Sequence, residues 1–302
     1  MINIFSFLNR IKINRIYSLS EEYIYKYRFL RDLSSGYAYV LGGKNKKREF
    51  LTFEPFDCNI AKLFNERSQS DLSYDIEQVI DHVTYSLMAF GRAYVYIKPE
   101  YTLSIDYDNN ETKVLSSIKV SEVKGFIKKQ NKSQLIFCRK GYNGEISDVE
   151  LQRNQIIIFD IKELGYKKKY FKNILKKLRK CDATLSATFM MTNNSDGYDF
   201  MVHSTKITLK KLRVLKDIGW LFDIDGLSDS YILYKKIQED KLRFRFLNYI
   251  VEKLNYGFED YLVDAGGKLV ANVKEKNYDQ LWEDYSDGKL TGTELTNILY
   301  SY

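Results

Sequence analysis

The chain has 302 residues, enough to bury a full hydrophobic core, and its 44% hydrophobic and 29% charged residues are the balance of a globular protein, not a disordered one. A net charge of +7 permits contact with phosphate but is below the charge density of a dedicated nucleic-acid binder. The chain has only two histidines, which argues against a transition-metal site. Its three cysteines, Cys58, Cys138 and Cys181, are far apart, so neither a disulfide framework nor a zinc site is predicted, and a reducing compartment is indicated.

Neither a signal peptide nor a membrane span is predicted. Arg10 and Lys12 interrupt the apolar residues at the N-terminus, and no later apolar run approaches the ~18 residues of a membrane span.

Two helices are predicted before residue 91. An amphipathic pattern over residues 20–33 predicts the first helix behind a Ser20 cap. Apolar residues at spacings of three and four over residues 75–90 predict the second helix, which Gly91 ends.

Strands are predicted after Gly91. RAYVYIKP alternates between small or apolar and polar residues and is expected to end at Pro99. Further strand-like runs, separated by turn residues rich in Asn, Asp and Gly, occupy residues 114–120, 125–129, 134–139 and 155–161. Consecutive strands with short polar turns favour an antiparallel meander packed on the 75–90 helix. Residues 1–165 are therefore predicted to form an α+β domain.

The hydrophobic period becomes helical beyond Gly165, so residues 166–302 are predicted to be mainly helical. Long helices are expected over residues 167–190 and 230–263, the second ended by Gly266 and Gly267. A polar break at 192–197 and a mixed segment to residue 228 lie between them. Short helices are expected over 277–285 and 291–299, and Thr291 with Glu294 has the spacing of a capping box.

The strongest local signal is the basic segment KKKYFKNILKKLRK at the start of the 167–190 helix, in which cations surround a narrow apolar stripe. Clustered cations gain affinity for nucleic acid by releasing its counterions, although an ordinary solvated helix face would have the same pattern. The candidate nucleic-acid or interface residues are Lys167, Lys168, Lys169, Lys172, Lys176, Lys177, Arg179 and Lys180.

No catalytic, cofactor-binding or metal-binding residue is predicted from motifs, because GxxxxGK[ST], GxGxxG, GxSxG and HExxH are all missing from the sequence. His82 and His203 lack partners in the sequence that would favour catalysis. The run DIDGLSDS at 223–230 fails the EF-hand spacing. A nuclease of the PD-(D/E)xK kind remains an alternative, with Asp106 or Asp108 followed by Glu122 and Lys124, although acid-x-Lys triplets are common in so charged a chain.

The stretch VIDHVTYSLMAFGRAYVYIKPE at residues 79–100 resembles the part of tailed-bacteriophage portal proteins in which a helix, a glycine and a GxAYVxI strand open the wing domain. NQIIIFDI at 154–161 resembles the strand before the portal stem, and GKLTGTEL at 288–295 is similar to a turn-and-cap element late in portal chains. In the first stretch the match is carried by Gly91, Ala93, Tyr94, Val95 and Ile97.

The resemblance implies a wing-like domain over residues 1–165, stem helices over 167–190 and 230–263, and a small clip over 192–229. It also implies a homo-oligomeric ring, commonly of twelve subunits, with double-stranded DNA in its channel. Capsid, terminase and head-tail connector proteins would be its partners, in a virion assembled in the bacterial cytoplasm, with no membrane, cofactor or active site. Many portal chains are longer, and the candidate clip is small.

Two other classes of function stay open on the sequence alone. One is the metal-dependent nuclease or defence enzyme that would use Asp106, Glu122 and Lys124. The other is a monomeric module whose basic helix holds nucleic acid. Particle size separates the portal reading from both alternatives, and metal-dependent cleavage of DNA separates the two alternatives from each other.

Overall fold

The computed structural model of the protein describes residues 24–35, 37, 50–54, 69–105, 111–122, 126–129, 134–140, 146–152, 155–191, 200–220, 227–259, 267–273 and 276–300. Its helices are α1 (Ile24–Ser34), α2 (Gln69–Phe90), α3 (Tyr170–Met191), α4 (Phe200–Val214), α5 (Asp229–Glu259), α6 (Tyr278–Ser286) and α7 (Gly292–Tyr300). Its strands are β1 (Leu51–Glu54), β2 (Arg92–Ile105), β3 (Glu111–Glu122), β4 (Phe126–Lys129), β5 (Gln134–Lys140), β6 (Ile146–Gln152), β7 (Ile156–Asp160) and β8 (Lys268–Ala271). The fold is α+β, as the sequence predicted.

The junction between α2 and β2 forms as the sequence predicted. Gly91 has a φ of +78°, and its N–H donates a 2.8 Å hydrogen bond to the carbonyl oxygen of Leu87, which closes the last turn of α2. Glycine suits this position because a side chain is strained at positive φ. Ala93, directly after the junction, is buried against the core.

All strand pairs are antiparallel, but the expected single meander is two three-stranded sheets, with the orders β3-β2-β7 and β4-β5-β6. The split arises because β7 returns to pair with β2 and leaves β4–β6 to pair among themselves. A third sheet joins β1 to β8, which were not predicted, and neither was β6.

The prediction that Pro99 ends its strand was wrong, since β2 continues to Ile105. Pro99 lies opposite Ile118 of β3, whereas the pairing of β2 with β7 stops at Tyr96. Within the described residues the other edge of β2 is thus unpaired at Pro99. A proline is tolerated there because its missing N–H removes no bond that a second neighbour would need.

One hydrophobic cluster contains residues from both sides of Gly165, among them Val83 of α2, Phe159 of β7, Phe171 of α3 and Phe246 of α5. The pairing of β1 with β8 also joins the two parts of the chain. Gly165 therefore marks a change in secondary structure, and the division into domains at this residue stays a prediction.

The helical part differs from the prediction in two places. The segment before residue 228 was expected to be mixed, but it contains the 15-residue helix α4. The first long helix begins at Tyr170, because Lys167–Lys169 belong to the preceding turn. The second long helix is described to Glu259, and Gly267 lies directly before β8. Residues 260–266, which include the predicted helix end and Gly266, lie outside the described residues.

The two short helices predicted over 277–285 and 291–299 form as α6 and α7. The Asn277 side chain accepts a hydrogen bond from the N–H of Gln280 and caps α6. Thr291 and Glu294 form the expected capping box, with the N–H of Thr291 2.8 Å from Glu294 Oε2 and the N–H of Glu294 3.2 Å from Thr291 Oγ1. Leu295 and Leu299 of α7 are buried against α5 and α6 in a second, smaller cluster.

Candidate nucleic-acid interface

Helix α3 has one buried face and one basic face. Phe171, Ile174, Leu175 and Leu178 form the buried stripe, as the apolar spacing predicted. The ring of Phe171 meets that of Phe246 on α5 edge-on, with 6.1 Å between centroids, and α3 also packs on α2 and α4. Because this packing holds the apolar face inward, the intervening lysines of α3 face solvent.

Of the predicted basic residues, Lys167–Lys169 lie before the helix, whereas the sequence had predicted them in its first turn, and the others lie on α3. The Arg179 side chain lies outside the described residues, and the other seven side chains are exposed: Lys167, Lys168, Lys169, Lys172, Lys176, Lys177 and Lys180. Six of these, all except Lys180, make no ion pair in the described part of the chain. Other cations nearby are paired: Arg92 Nε lies 2.8 Å from Asp160 Oδ2, and Lys253 Nζ lies 2.7 Å from Glu163 Oε2. Lys172, Lys176 and Lys177 of α3 are therefore available to an external anion.

Helix α4 enlarges the basic surface, and sequence analysis missed this contribution. It packs on α3 and exposes Lys206, Lys210 and Arg213, and the turn that follows it exposes Lys216. The signal was present, because residues 206, 210 and 213 have the i, i+4, i+7 spacing of one helix face. It was obscured by apolar residues on the same face, described below.

The positive charge of the chain is concentrated in the segment that contains these two helices. Residues 166–217 contain 13 of the 47 basic residues and only 4 of the 40 acidic ones. The remainder has 34 basic and 36 acidic residues, so the whole positive excess lies in this segment. Such a distribution creates a strong local field even though the net charge of +7 is modest.

A network around Asp160 fixes the Asp160–Lys162 turn, which precedes the turn that carries the predicted lysines before α3. The Asp160 N–H donates to the hydroxyl of Tyr249, at 3.0 Å, and that hydroxyl donates back to the Asp160 carbonyl oxygen, at 3.2 Å. Burial alone would raise the pKa of the Asp160 carboxyl, but the N–H of Lys162 and the guanidinium of Arg92 lower it below its ordinary value. The ionised carboxylate accepts hydrogen bonds from the N–H of Lys162 and from Arg92, and these bonds fix the Asp160–Lys162 turn against β2.

The turn that carries Lys168 packs on the α2–β2 junction. A methyl group added at Gly91 would lie 2.8 Å from Cγ and 2.8 Å from the carbonyl oxygen of Lys168. The Gly91 carbonyl in turn accepts a hydrogen bond from the N–H of Ile161, at 3.1 Å. The glycine of the helix–glycine–strand motif thus fixes where the basic turn lies.

The described residues offer no candidate metal centre. Among them no group of three or more His, Cys, Asp or Glu side chains is placed to hold a metal ion. Asp106, Asp108 and Lys124 lie outside the described residues, as does the side chain of Glu122 on β3, so the nuclease hypothesis stays a prediction. Residues 223–226 of the DIDGLSDS run also lie outside them.

The histidines and cysteines provide no further centre where they are described. His82 Nε2 lies 3.2 Å from Ser86 Oγ within α2, and the side chain of His203 on α4 is outside the described residues. Cys181 is a buried free thiol. No helix in the described ranges combines the length and apolar character needed to cross a membrane.

Comparison with known proteins adds no family assignment. No protein-family model matches the chain, and a search of curated proteins finds no match.

Proposed function

We propose that this chain is a subunit of a portal-like ring that surrounds double-stranded DNA at a vertex of a phage capsid. The observation that carries the proposal is the set of exposed lysines on α3 and in the turn before it. Six of these lysines have no ion-pair partner in the described residues. They lie in the segment that holds the whole positive excess of the chain. The order of elements supports it as well, because a helix, a glycine and an antiparallel sheet precede two long helices.

The physical argument rests on repetition. Head-to-tail contacts between identical subunits close into a ring when the rotation per subunit permits, and a ring repeats one charged helix many times around its axis. Cations repeated in this way repel one another unless an anion lies between them. Double-stranded DNA supplies about one negative charge per 1.7 Å of its axis, and its binding releases condensed counterions.

In this proposal the basic surface of α3 and α4 faces the DNA conduit or a neighbouring subunit. The terminase that loads DNA, the capsid and the head-tail connector proteins are the partners that a portal would require. A monomeric nucleic-acid-binding module would use the same lysines, so the mass of the assembled particle separates the two functions.

Charge reversal on α3 tests the DNA contact. In the triple variant Lys172→Glu, Lys176→Glu, Lys177→Glu the side chains lie off the buried stripe, so the subunit is expected to fold normally. We expect its affinity for a double-stranded DNA fragment at 50 mM salt to fall by at least tenfold. The slope of log K against log salt should become shallower by about 0.9 for each phosphate contact that is lost.

A matched control makes the same change in net charge at three exposed positions outside α3 and α4. The variant Arg31→Glu, Lys268→Glu, Lys289→Glu also removes three cations and adds three anions. We expect it to retain DNA nearly as well as the native chain. Equal loss of DNA binding in the two triple variants would show that overall charge, and not the α3 surface, governs the interaction, and would contradict the proposal.

A further inference from the structure

Two helices of the chain expose ridges of opposite charge, and each ridge contains a large apolar side chain that is mostly exposed to solvent. The basic ridge lies on α4 and consists of Met201, Val202, Lys206, Leu209, Lys210 and Arg213. The acidic ridge lies on the C-terminal half of α5 and consists of Glu252, Tyr256 and Glu259.

The apolar residues of the basic ridge are held outward by the packing of α4. Ile207 and Leu215 are buried on the opposite side of the helix, which directs residues 202, 206, 209 and 213 to solvent. Met201 is 73% exposed, and Val202 and Leu209 are each 48% exposed. Burying such side chains on a partner is favourable, so a ridge of three on one helix face indicates a contact surface.

The acidic ridge is held outward in the same way. Leu254 and Phe258 bury the opposite face of α5, and Gly257 packs directly on Ile157 of β7, so this end of the helix lies close to the sheet. Tyr256 is 72% exposed between Glu252, four residues before it, and Glu259, three residues after it. An exposed aromatic ring beside two carboxylates repels DNA and favours a basic, apolar partner.

The two ridges are complementary in chemistry. Met201 and Tyr256 are the most exposed large apolar side chains among the described residues. Val202 and Leu209, which are exposed on the same helix as Met201, lie at helical spacing from Lys206 and Arg213, whereas Tyr256 lies at helical spacing from two glutamates. Because both are exposed, neither ridge covers the other within one copy of the chain. A second copy of the chain supplies, for each ridge, a surface of the required charge and apolar character.

We propose that the basic ridge of one copy docks on the acidic ridge of the next copy. The contact is head-to-tail, with Met201 and Leu209 against Tyr256 and the α4 cations against Glu252 and Glu259. One contact leaves the acidic ridge of the first copy and the basic ridge of the second unoccupied, so the contact propagates and closes into a ring when the rotation permits. The inference rests on the ring of the proposed function and assigns its subunit interface.

A reciprocal charge exchange tests this interface in the full chain. The first variant, Lys206→Glu with Lys210→Glu, makes the basic ridge acidic. The second, Glu252→Lys with Glu259→Lys, makes the acidic ridge basic. In either variant alone both ridges of a self-contact have the same sign, so we expect the concentration needed for assembly to rise by about tenfold or more.

Mixing the two variants provides the decisive comparison. In a mixture every contact between unlike variants pairs opposite charges, so an alternating assembly of native mass should form again. The four-residue variant with both exchanges should also assemble alone. Arg31→Glu with Lys268→Glu serves as the control for a general effect of charge and should assemble like the native chain. Thermal unfolding of each variant establishes that the subunits are folded.

The outcomes separate the interface from the proposed function. If the native chain forms rings and both single-ridge variants form them equally well, the interface is wrong and the ring stands. If the ridges mediate only open chains or dimers, with rescue on mixing, the interface stands and the portal function fails. Loss of DNA binding in Lys206→Glu, Lys210→Glu without any change in particle mass would assign the basic ridge to DNA and overturn the inference, as would binding of that ridge to vesicles of anionic lipid.

Discussion

The ammonium of Lys235 donates a 2.6 Å hydrogen bond to the carbonyl oxygen of Leu215, at the C-terminal end of α4. Lys235 is fully buried, and its Nζ also lies 5.3 Å from the centre of the Tyr231 ring. The last carbonyls of a helix carry partial negative charge and lack partners within the helix, so a cation stabilises them. This bond ties α4, which carries the basic ridge, to α5, which carries the acidic one.

Two further cations cap helices in the same way. Arg243 of α5 donates from Nη1 to the carbonyl oxygen of Ser35, at 2.8 Å, and from Nη2 to that of Asp32, at the end of α1. Lys276 donates to the carbonyl oxygens of Ile298 and Leu299 in the last turn of α7. Helix α5 thus holds the ends of α1 and α4 through side chains that lie in its buried face.

Lys235→Met should reveal the pH dependence that this buried cation creates. Burial lowers the pKa of Lys235 to about 8, against the opposing effect of Asp217, so the unfolded chain binds more protons than the folded one between pH 8 and the ordinary lysine pKa. The free energy of unfolding of the native chain should therefore gain a contribution from Lys235 as the pH rises from 7.5 to 9.5. In Lys235→Met that gain should be smaller, as measured by urea denaturation at both pH values.

Lys276 does not confuse this comparison. Burial also lowers its pKa, but its contribution is the same in both proteins. An identical pH dependence in the native chain and the variant would show that Lys235 is not desolvated as described.

Arg243→Lys should destabilise the chain, since a lysine cannot bind the carbonyls of Asp32 and Ser35, at the end of α1, with one planar group. The loss of a buried, charge-assisted bond is expected to lower the free energy of unfolding by about 1–3 kcal/mol. Arg245→Lys is the matched control two residues away: its guanidinium is exposed and lies 5.2 Å from the Tyr166 ring, so the change should be less than about 1 kcal/mol. Chemical denaturation measures both values, and equal effects would refute the capping role of Arg243.

Gly91→Ala should be costly for two separate reasons, of which Gly288→Ala shares only one. Both glycines have positive φ, +78° and +73°, so both substitutions strain the backbone. Only Gly91 has the backbone of Lys168 in the way, whereas nothing lies within 4 Å of a methyl group at Gly288. We expect Gly91→Ala to lower the free energy of unfolding by about 1–3 kcal/mol more than Gly288→Ala. Similar losses at the two positions would mean that the basic turn does not pack on the junction.

The proposed function also predicts that the purified chain does not cleave DNA when magnesium is added. No residue is assigned a catalytic role, and a ring that conducts DNA has no need of a nuclease. Incubation of supercoiled plasmid with the chain and Mg²⁺ should leave the plasmid intact. Cleavage that disappears in both Glu122→Ala and Lys124→Ala would replace the portal proposal with the nuclease alternative.

Local signals in the sequence predicted local structure well. The Gly91 stop and the Thr291–Glu294 capping box depend on residues within four positions of one another, so both were visible without the fold. The exposed lysines of α3 were equally visible, because the apolar stripe of that helix is continuous. At these positions the residue type and the helical spacing both indicate the structure that forms.

The features that sequence analysis missed depend on contacts between distant residues. Strands β1 and β8 pair across more than 200 residues, and each has only four residues from which to infer a strand. The burial of Lys235 and Arg243 follows from carbonyls on other helices, which no local pattern contains. Helix α4 was missed because Met201, Val202 and Leu209 lie on its solvent side, which blurs the contrast between an apolar and a polar face.

The mass of the native particle tests the central claim most directly. Native mass spectrometry and electron microscopy of the full chain, over a range of protein and salt concentrations, should reveal a closed ring whose mass is an integral multiple of 35.7 kDa, commonly near twelve copies. Assembly should respond to salt, because the repeated cations of α3 need screening. A particle of 35.7 kDa at every concentration and salt, with no ring in the images, would contradict the account.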